Sequence, residues 1–355
     1  MEASRADVLV FVEDPGAANY LADVPNALAT RGFKTALMAS GHAEEYLRRR
    51  GIAFQAPPAT LAACTARLLI AGTAASPDAL GLRLISEARA RGIPTAAAVD
   101  ARMNAAIRFR GHGNHPLECA PDWLLVIDEW TKDAFAALGF PRARVFVCGH
   151  PRFDHVRAVA HAFVPADRRD VRRELFPGAP ASSAVILFAA EPLVGFNQRD
   201  QSGSSRPETA LRWLLDGAQA VAPQSCVVVR PHPKNLPGDF ASMLGRFELA
   251  DNEQDGLHMA WAADLVAGLT STFLIEASLI GTPTLSIVPC ESERNWLPTV
   301  ASGVTLCATG KDEVRPHLVR LLEGEPAVAA DALDLLAPPG ALARIADFVG
   351  GVLGG

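Results

Sequence analysis

Short runs of continuous apolar residues alternate along the chain with stretches whose apolar positions recur every three or four residues. A strand covered by helices on both faces needs no polar alternation, so such runs mark a parallel sheet inside an α/β fold. In the first half the strand runs are residues 7–12 (DVLVFV), 34–38, the brief 52–55, then RLLIAGT, IPTAAAVD, DWLLVID and RVFVCG. Helices are expected between them over 21–30, over AEEYLRRRG, from Ser76-Pro77 to Gly92, and over TKDAFAALG. Ser76 there is a candidate N-cap with proline at the first helical position, and several of these helices stop on glycine.

The second half repeats the theme. AVILFAA, SCVVVRPHP, FELA, DLVAGLT, PTLSIVP and VTLCAT read as strands, separated by helices such as PETALRWLLDGAQAVA and STFLIEASLIG. The expected fold class is therefore α/β, with two Rossmann-like domains facing across a cleft: residues 1–165, residues 180–330, and a helical tail over 331–355. The break is expected around 164–183, rich in Pro, Ala, Arg and Asp, and the polar stretch 197–208 reads as a loop.

Composition narrows the classes. A chain of 355 residues with 49% hydrophobic and 20% charged residues can build two sizeable cores. A formal charge of −6 gives no basic footprint for nucleic acid. The six cysteines lack CxxC pairs and read as small buried hydrophobes rather than as a disulfide or zinc framework. No window approaches the ~20 apolar residues of a membrane span, so membrane contact is expected to be at most peripheral. With no h-region at the N-terminus, the expected location is the cytoplasm. Self-association as a homodimer is left open.

Three loops follow strands and open helices, where an α/β sheet presents its ligands. The first holds Glu13, Asp14, Gly16 and Asn19. Its small residues allow close approach to the backbone, and its acidic pair reads either as a helix cap or as a general base, with Asp14 or Glu13 taking a hydroxyl proton. The loop is not a GxGxxG pattern, so no nicotinamide cofactor is expected, and no other cofactor either. The second loop carries Arg230, His232 and Lys234, held by Pro231 and Pro233. Two cations around an imidazole at a strand end suit phosphate neutralisation, and His232 can supply a proton to a departing phosphate. The third runs from Gly268 through Thr270, Ser271 and Thr272 to Glu276. Its hydroxyls can cap the helix or, with the backbone N–H groups, take a phosphate, and Glu276 lies one turn deeper, where it can accept paired ribose hydroxyls. Glu191 follows the first strand of the second half and is a further binding candidate.

Weaker candidates are Asp100 and Arg102 at a strand end, the segment AAIRFRGHGNH without clear regular structure, and Gly149-His150-Pro151 near the domain joint. His112 and His115 have no carboxylate or cysteine nearby in sequence to complete a metal set, and no metal is expected. The arginine clusters at 48–50 and 168–173 read as solvated helix faces.

RPHP followed by TSTFLIEASLIGTP and an apolar strand resembles the C-terminal half of GT-B glycosyltransferases. The likeness is to the CDP-glycerol glycerophosphotransferases and the bacterial sialyl- and polysialyltransferases, with their His-Pro motif and later hydroxyl pair. It implies that His232, Ser271 and Thr272 hold the donor's phosphate, while Glu276 stands where those enzymes usually carry Asp. A second resemblance is to UDP-N-acetylglucosamine 2-epimerases, with a Ser/Gly-containing loop, a ribose-binding Glu and Gly-x-Pro, matched here by Glu276 and Gly281-Thr282-Pro283. The epimerases' Arg-Pro-Glu opening and Thr-His-Arg segment have no counterpart in this chain. The resemblances imply a metal-independent transferase using a CMP-, CDP- or UDP-linked donor bound by the second half, with the first half on the acceptor side. An epimerase, a hydrolase or a non-catalytic nucleotide-sugar sensor is the alternative.

Overall fold

The computed structural model describes residues 6–61, 65–191, 206–232, 235–236, 238–239, 243, 245–251, 253–324 and 330–354. Two compact units emerge, Met1–Asp154 with Asp334–Gly355, and His155–Leu333. The first unit winds through β1 (Val8–Val12), α1 (Pro15–Leu21), α2 (Val24–Ala29), β2 (Thr35–Ala39), α3 (His42–Arg49), β3 (Leu68–Gly72) and α4 (Leu80–Ala90). It continues with β4 (Thr95–Val99), α5 (Ala105–Arg108), β5 (Trp123–Val126), α6 (Glu129–Ala137) and β6 (Val145–Val147), and passes into α7 (Pro151–Ala162). All six strands pair in parallel, in the order β2-β1-β3-β4-β5-β6.

The alternation of side chains along β1 serves two cores. Val8, Val10 and Val12 pack with Leu21, Leu28 and Leu47 on one face, and Leu9 and Phe11 pack with Leu84, Ile85, Phe109 and Phe135 on the other. Local chemistry moves some expected boundaries. The helix expected over 21–30 is split, because Pro25 lacks the N–H that would continue α1 and instead sits in the first turn of α2. Residues 52–55 supply only a bridge from Gln55 to Met38. AAIRFRGHGNH contains one helical turn, α5.

The second unit comprises α8 (Arg168–Leu175), β7 (Val185–Ala189), α9 (Arg206–Val221), β8 (Cys226–Arg230), β9 (Glu248–Leu249), α10 (Gly256–Ala262) and β10 (Leu265–Gly268). α11 (Thr272–Ile280), β11 (Thr284–Ile287), α12 (Pro298–Ala301), β12 (Leu306–Ala308) and α13 (Lys311–Leu322) follow; after them the chain enters α14 (Ala330–Leu336), within which it returns to the first unit, and then α15 (Ala341–Gly354). Its parallel order is β12-β11-β10-β7-β8-β9, the doubly wound arrangement whose winding reverses between β7 and β10. Ile186, Phe188, Leu211, Leu214, Val314 and Leu318 build its core.

Three segments depart from the sequence pattern. The change of unit falls within α7 at Asp154, and the expected break is occupied by α8. Arg168 and Arg172 are only partly solvated: they hold Asp264, at 3.1 and 2.6 Å, and so tie α8 to the start of β10. The expected tail belongs to the first unit, where Ile345, Phe348 and Val349 of α15 join the core of β1. Ala332–Gly354, with mean hydropathy 1.2, is long and apolar enough to cross a membrane, but much of its apolar side is spent in this way. Of the polar stretch 197–208, Arg206–Glu208 open α9 and the rest lies outside the described residues. Cys148 and Cys307 are buried as expected of small hydrophobes, whereas Cys119, Cys226 and Cys290 are half-buried.

Candidate functional site

In the second unit, sheet register brings the predicted loops to one edge. Ala189 pairs with Arg230 on one side and with Gly268 on the other, so the loops after β7, β8 and β10 leave the sheet at the same level. This is the carboxyl end of the strands at the reversal between β7 and β10, the place where open α/β sheets bind ligands.

Glu191 and Thr270 span that reversal. A Glu191 carboxylate oxygen accepts the Thr270 N–H at 2.7 Å and its hydroxyl at 3.1 Å. The Ser271 N–H is directed at the same carboxylate. Burial pushes the Glu191 carboxyl above its usual range, opposed by these hydrogen bonds and by the Arg206 charge. Ser271 caps α11, its hydroxyl accepting the Phe273 N–H at 3.2 Å, and Thr272 is the first helical residue. Glu276 follows one turn deeper and is buried, 6% exposed.

Arg230 lies 5.0 Å over the Phe273 ring, and a Cβ on Gly256 would come within 3.1 Å of its guanidinium carbon. The cation is thus lodged between the starts of α10 and α11. His232 is half-buried, and its N–H donates to Asn235 Oδ1 at 2.7 Å. Asn235 in turn donates to the Glu191 carbonyl at 3.3 Å and to Asp239 at 2.9 Å, which fastens the β8 loop to the β7 loop. Lys234 lies outside the described residues.

Sequence reasoning missed three residues of this edge. Arg206, at the start of α9, is buried and ion-paired with buried Glu293. Its Nε has no hydrogen-bond partner among the described residues. Both residues sit in polar, charge-rich sequence that reads as exposed loop, and only the fold carries them inward. Asn235 was likewise hidden behind the conspicuous RPHP.

The first unit gathers a separate set. Glu13, expected as a cap or base, accepts the Leu80 and Gly81 N–H groups at 2.8 and 2.9 Å and so caps α4. For this reason α4 begins at Leu80 with Ala79 at its N-cap position, and Ser76 does not cap it. Burial raises the Glu13 carboxyl, while those two N–H groups pull it back and Asp14 adds a smaller upward push. Asp14 caps α1 through the Gly16 N–H at 3.2 Å. A Cβ on Gly16 would fall 2.2 Å from Asp100 Oδ2, so any larger residue there would push the Asp100 carboxylate aside. Asp100 pairs with buried Arg108 at 2.9 Å, and Arg108 also donates to Thr73 at 2.7 Å and to the Met103 carbonyl at 2.9 Å. Arg108 and Thr73 gave no sequence signal. Asn19 Oδ1 accepts the Tyr46 hydroxyl at 2.7 Å.

His150 is a core residue. Its ring packs at a tilt against Tyr20 and Phe153, each at 4.7 Å, and burial lowers its pKa to about 3. His112 finds a carboxylate that its sequence neighbourhood lacks, Asp78 at 2.8 Å. Among the described residues no three His, Cys, Asp or Glu side chains are grouped to hold a metal ion.

What the second-unit edge can do is hold an anion at the start of α11, beside Arg230 and His232, with the Glu276 carboxylate set deeper for hydroxyl groups. No protein-family sequence profile matches the chain, and no curated protein matches it in sequence. Solved structures do. UDP-GlcNAc 2-epimerase from Neisseria meningitidis, bound to UDP-GlcNAc, superposes with a TM-score of 0.67 at 14% identity, covering 98% of each chain. UDP-GlcNAc 2-epimerase from Methanocaldococcus jannaschii gives 0.63 at 11% identity, covering 97% of this chain and 99% of that one. Anabaena Alr3699/HepE, in complex with UDP-glucose, gives 0.62 at 13% identity over 98% and 99%. The chain therefore has the two-unit, GT-B-like α/β fold of these proteins over almost its whole length.

Proposed function

We propose that the chain is an enzyme that binds a uridine diphosphate sugar on its second unit and acts at the sugar. The carrying observation is the convergence at one reversal point of the α11 N-terminus, Arg230, His232 and buried Glu276. The phosphates would lie on the Thr270–Thr272 turn, with Arg230 and His232 stabilising charge as the diphosphate leaves. Glu276 would accept the ribose hydroxyls. UDP takes precedence over the CMP or CDP of the transferase resemblance, because structures of this fold were captured with UDP-GlcNAc and UDP-glucose.

Epimerisation or hydrolysis takes precedence over transfer for the same reason: proteins named 2-epimerase match nearly the full chain. Transfer to a hydroxyl acceptor is the second reading, favoured by the Arg230–Lys234 and Thr270–Glu276 motifs. In either case Asp14 and Glu13 would act through their caps on α1 and α4, as supports of the first-unit edge, and Asp100, paired with Arg108 after β4, is a further carboxylate there.

Incubation with UDP-GlcNAc in deuterated water, followed by NMR, separates these readings. Inversion at the sugar's C2 breaks the C2–H bond, so deuterium at C2 supports epimerisation. UDP release without deuterium and without an acceptor supports hydrolysis, and release only with an added acceptor supports transfer. UDP-GlcNAc, UDP-glucose and UDP all failing to bind would defeat the proposal.

A further inference from the structure

The anion place at the start of α11 is already taken by a carboxyl group. Glu191 reaches from the end of β7 across the sheet reversal and takes the Thr270 N–H and hydroxyl, with the Ser271 N–H directed at it. These donors belong to the Thr270–Thr272 turn on which the phosphates are proposed to lie, next to the Ser271 and Thr272 groups that the sequence assigns to a phosphate, and sequence reasoning counted Glu191 as a further ligand beside it. One set of N–H groups cannot serve a carboxylate and a phosphate together, and two anions at that separation repel strongly in a partly buried site. A second feature sets the charge balance. Arg206 is buried with an unmatched Nε, yet its charge is already paired with buried Glu293, so it cannot fully neutralise an arriving diphosphate as well as Glu191.

We propose that Glu191 is a built-in competitor for the phosphate place, and that a nucleotide diphosphate enters only as Glu191 takes up one proton and releases the Thr270 N–H. The inference rests on the nucleotide-binding reading and adds a rule of admission to it. The proton comes from solvent and converts the carboxylate to a neutral carboxyl, which can remain beside the phosphate as a hydrogen-bond donor. Facing Glu191 are Arg206 from α9, with Glu293 behind it, and Thr270 and Ser271 at the start of α11. From the β8 loop, the Asn235 side chain, backed by Asp239, donates to the Glu191 backbone carbonyl and accepts the His232 backbone N–H. Burial favours the neutral carboxyl, so the competitor is poised for protonation.

The test is calorimetric titration with UDP-glucose, whose diphosphate diester keeps its charge between about pH 6 and about pH 8.5. Wild type is expected to lose about tenfold in affinity per pH unit once Glu191 is ionised, and to take up about one proton per ligand in buffers of different ionisation enthalpy. Glu191→Gln keeps an oxygen for the Thr270 N–H. It is expected to bind at least about tenfold tighter than wild type near the alkaline end, with a flat profile and no uptake. Uptake that persists in Glu191→Gln would assign the proton to another group, such as His232, and overturn the proposal. So would wild-type binding without uptake, or a variant that binds more weakly with the slope unchanged. If neither protein binds UDP-glucose or UDP at any pH, the nucleotide reading itself fails and this inference falls with it.

Discussion

Glu13→Ala separates a structural carboxylate from a chemical one. Glu13 accepts two N–H groups at the start of α4, and Gly81, one of the donors, is buried. Removing the carboxylate deletes a cap and leaves at least one buried N–H without a partner. Loss of a cap costs typically about 1 kcal/mol and an unsatisfied buried donor about 1–3 kcal/mol, so a loss of about 2 kcal/mol is expected. For a unit of this size, thermal midpoints move by about 2–4 °C per kcal/mol, which gives about 4–8 °C. Glu13→Gln keeps one acceptor oxygen and should lose about half as much. Circular-dichroism melts at neutral pH measure this, with UDP affinity determined in parallel. The cap account predicts a lower midpoint with UDP affinity unchanged, because the proposed nucleotide site lies in the other unit. An unshifted midpoint in Glu13→Ala, together with abolished turnover, would refute it and restore Glu13 as a base. The pH dependence has a definite sign. The folded carboxyl is raised above 4.5, so ionisation costs the folded state more, and wild type's advantage over Glu13→Gln should narrow as pH rises through that window.

Asp264 gives the opposite sign. Burial would raise its carboxyl, but the Val185 N–H, Arg172 and Arg168 outweigh burial and hold it below 3.8. Its contribution to the second unit is therefore complete above 3.8 and lost as pH falls through the folded value, and acid titrations of Asp264→Asn should lack this component. His150, held neutral by burial with a pKa lowered to about 3, predicts stability lost as pH falls from 6.5 towards that value. His150→Phe should remove that slope from acid denaturation curves. Gly149 has φ +76°, and a Cβ there would meet the Pro338 carbonyl at 2.6 Å. Gly149→Ala should cost about 1–3 kcal/mol and speed proteolysis near residues 338–340, read by limited digestion.

The sequence was most informative where a single physical rule governed. Strands buried on both faces announce themselves as continuous apolar runs, and β1, β3, β4, β7, β8 and β10 were all legible in that way. The loops after β8 and β10 were legible because prolines and consecutive hydroxyl residues at a strand end have few other uses. Glu13 was ambiguous for a different reason: its partners, Leu80 and Gly81, lie far away in sequence, and capping at a distance leaves no local mark. The same applies to Arg206 with Glu293 and to Arg108 with Asp100, where a buried ion pair is assembled only by sheet order. α15 read as a tail because its apolar stripe matches a partner, the β1 face, at the other end of the chain. Arg168 and Arg172 looked solvated until Asp264 supplied a half-buried carboxylate.

The central claim is that the second unit holds a nucleoside diphosphate with Glu276 on the ribose, and calorimetric titration of wild type and Glu276→Gln with UDP tests it most directly. The account predicts micromolar binding by wild type and a loss of about 10–100-fold in the variant, the worth of a hydrogen bond to a charged group, with the melting midpoint little changed. Equal affinities in the two proteins, or no binding to wild type, would contradict it.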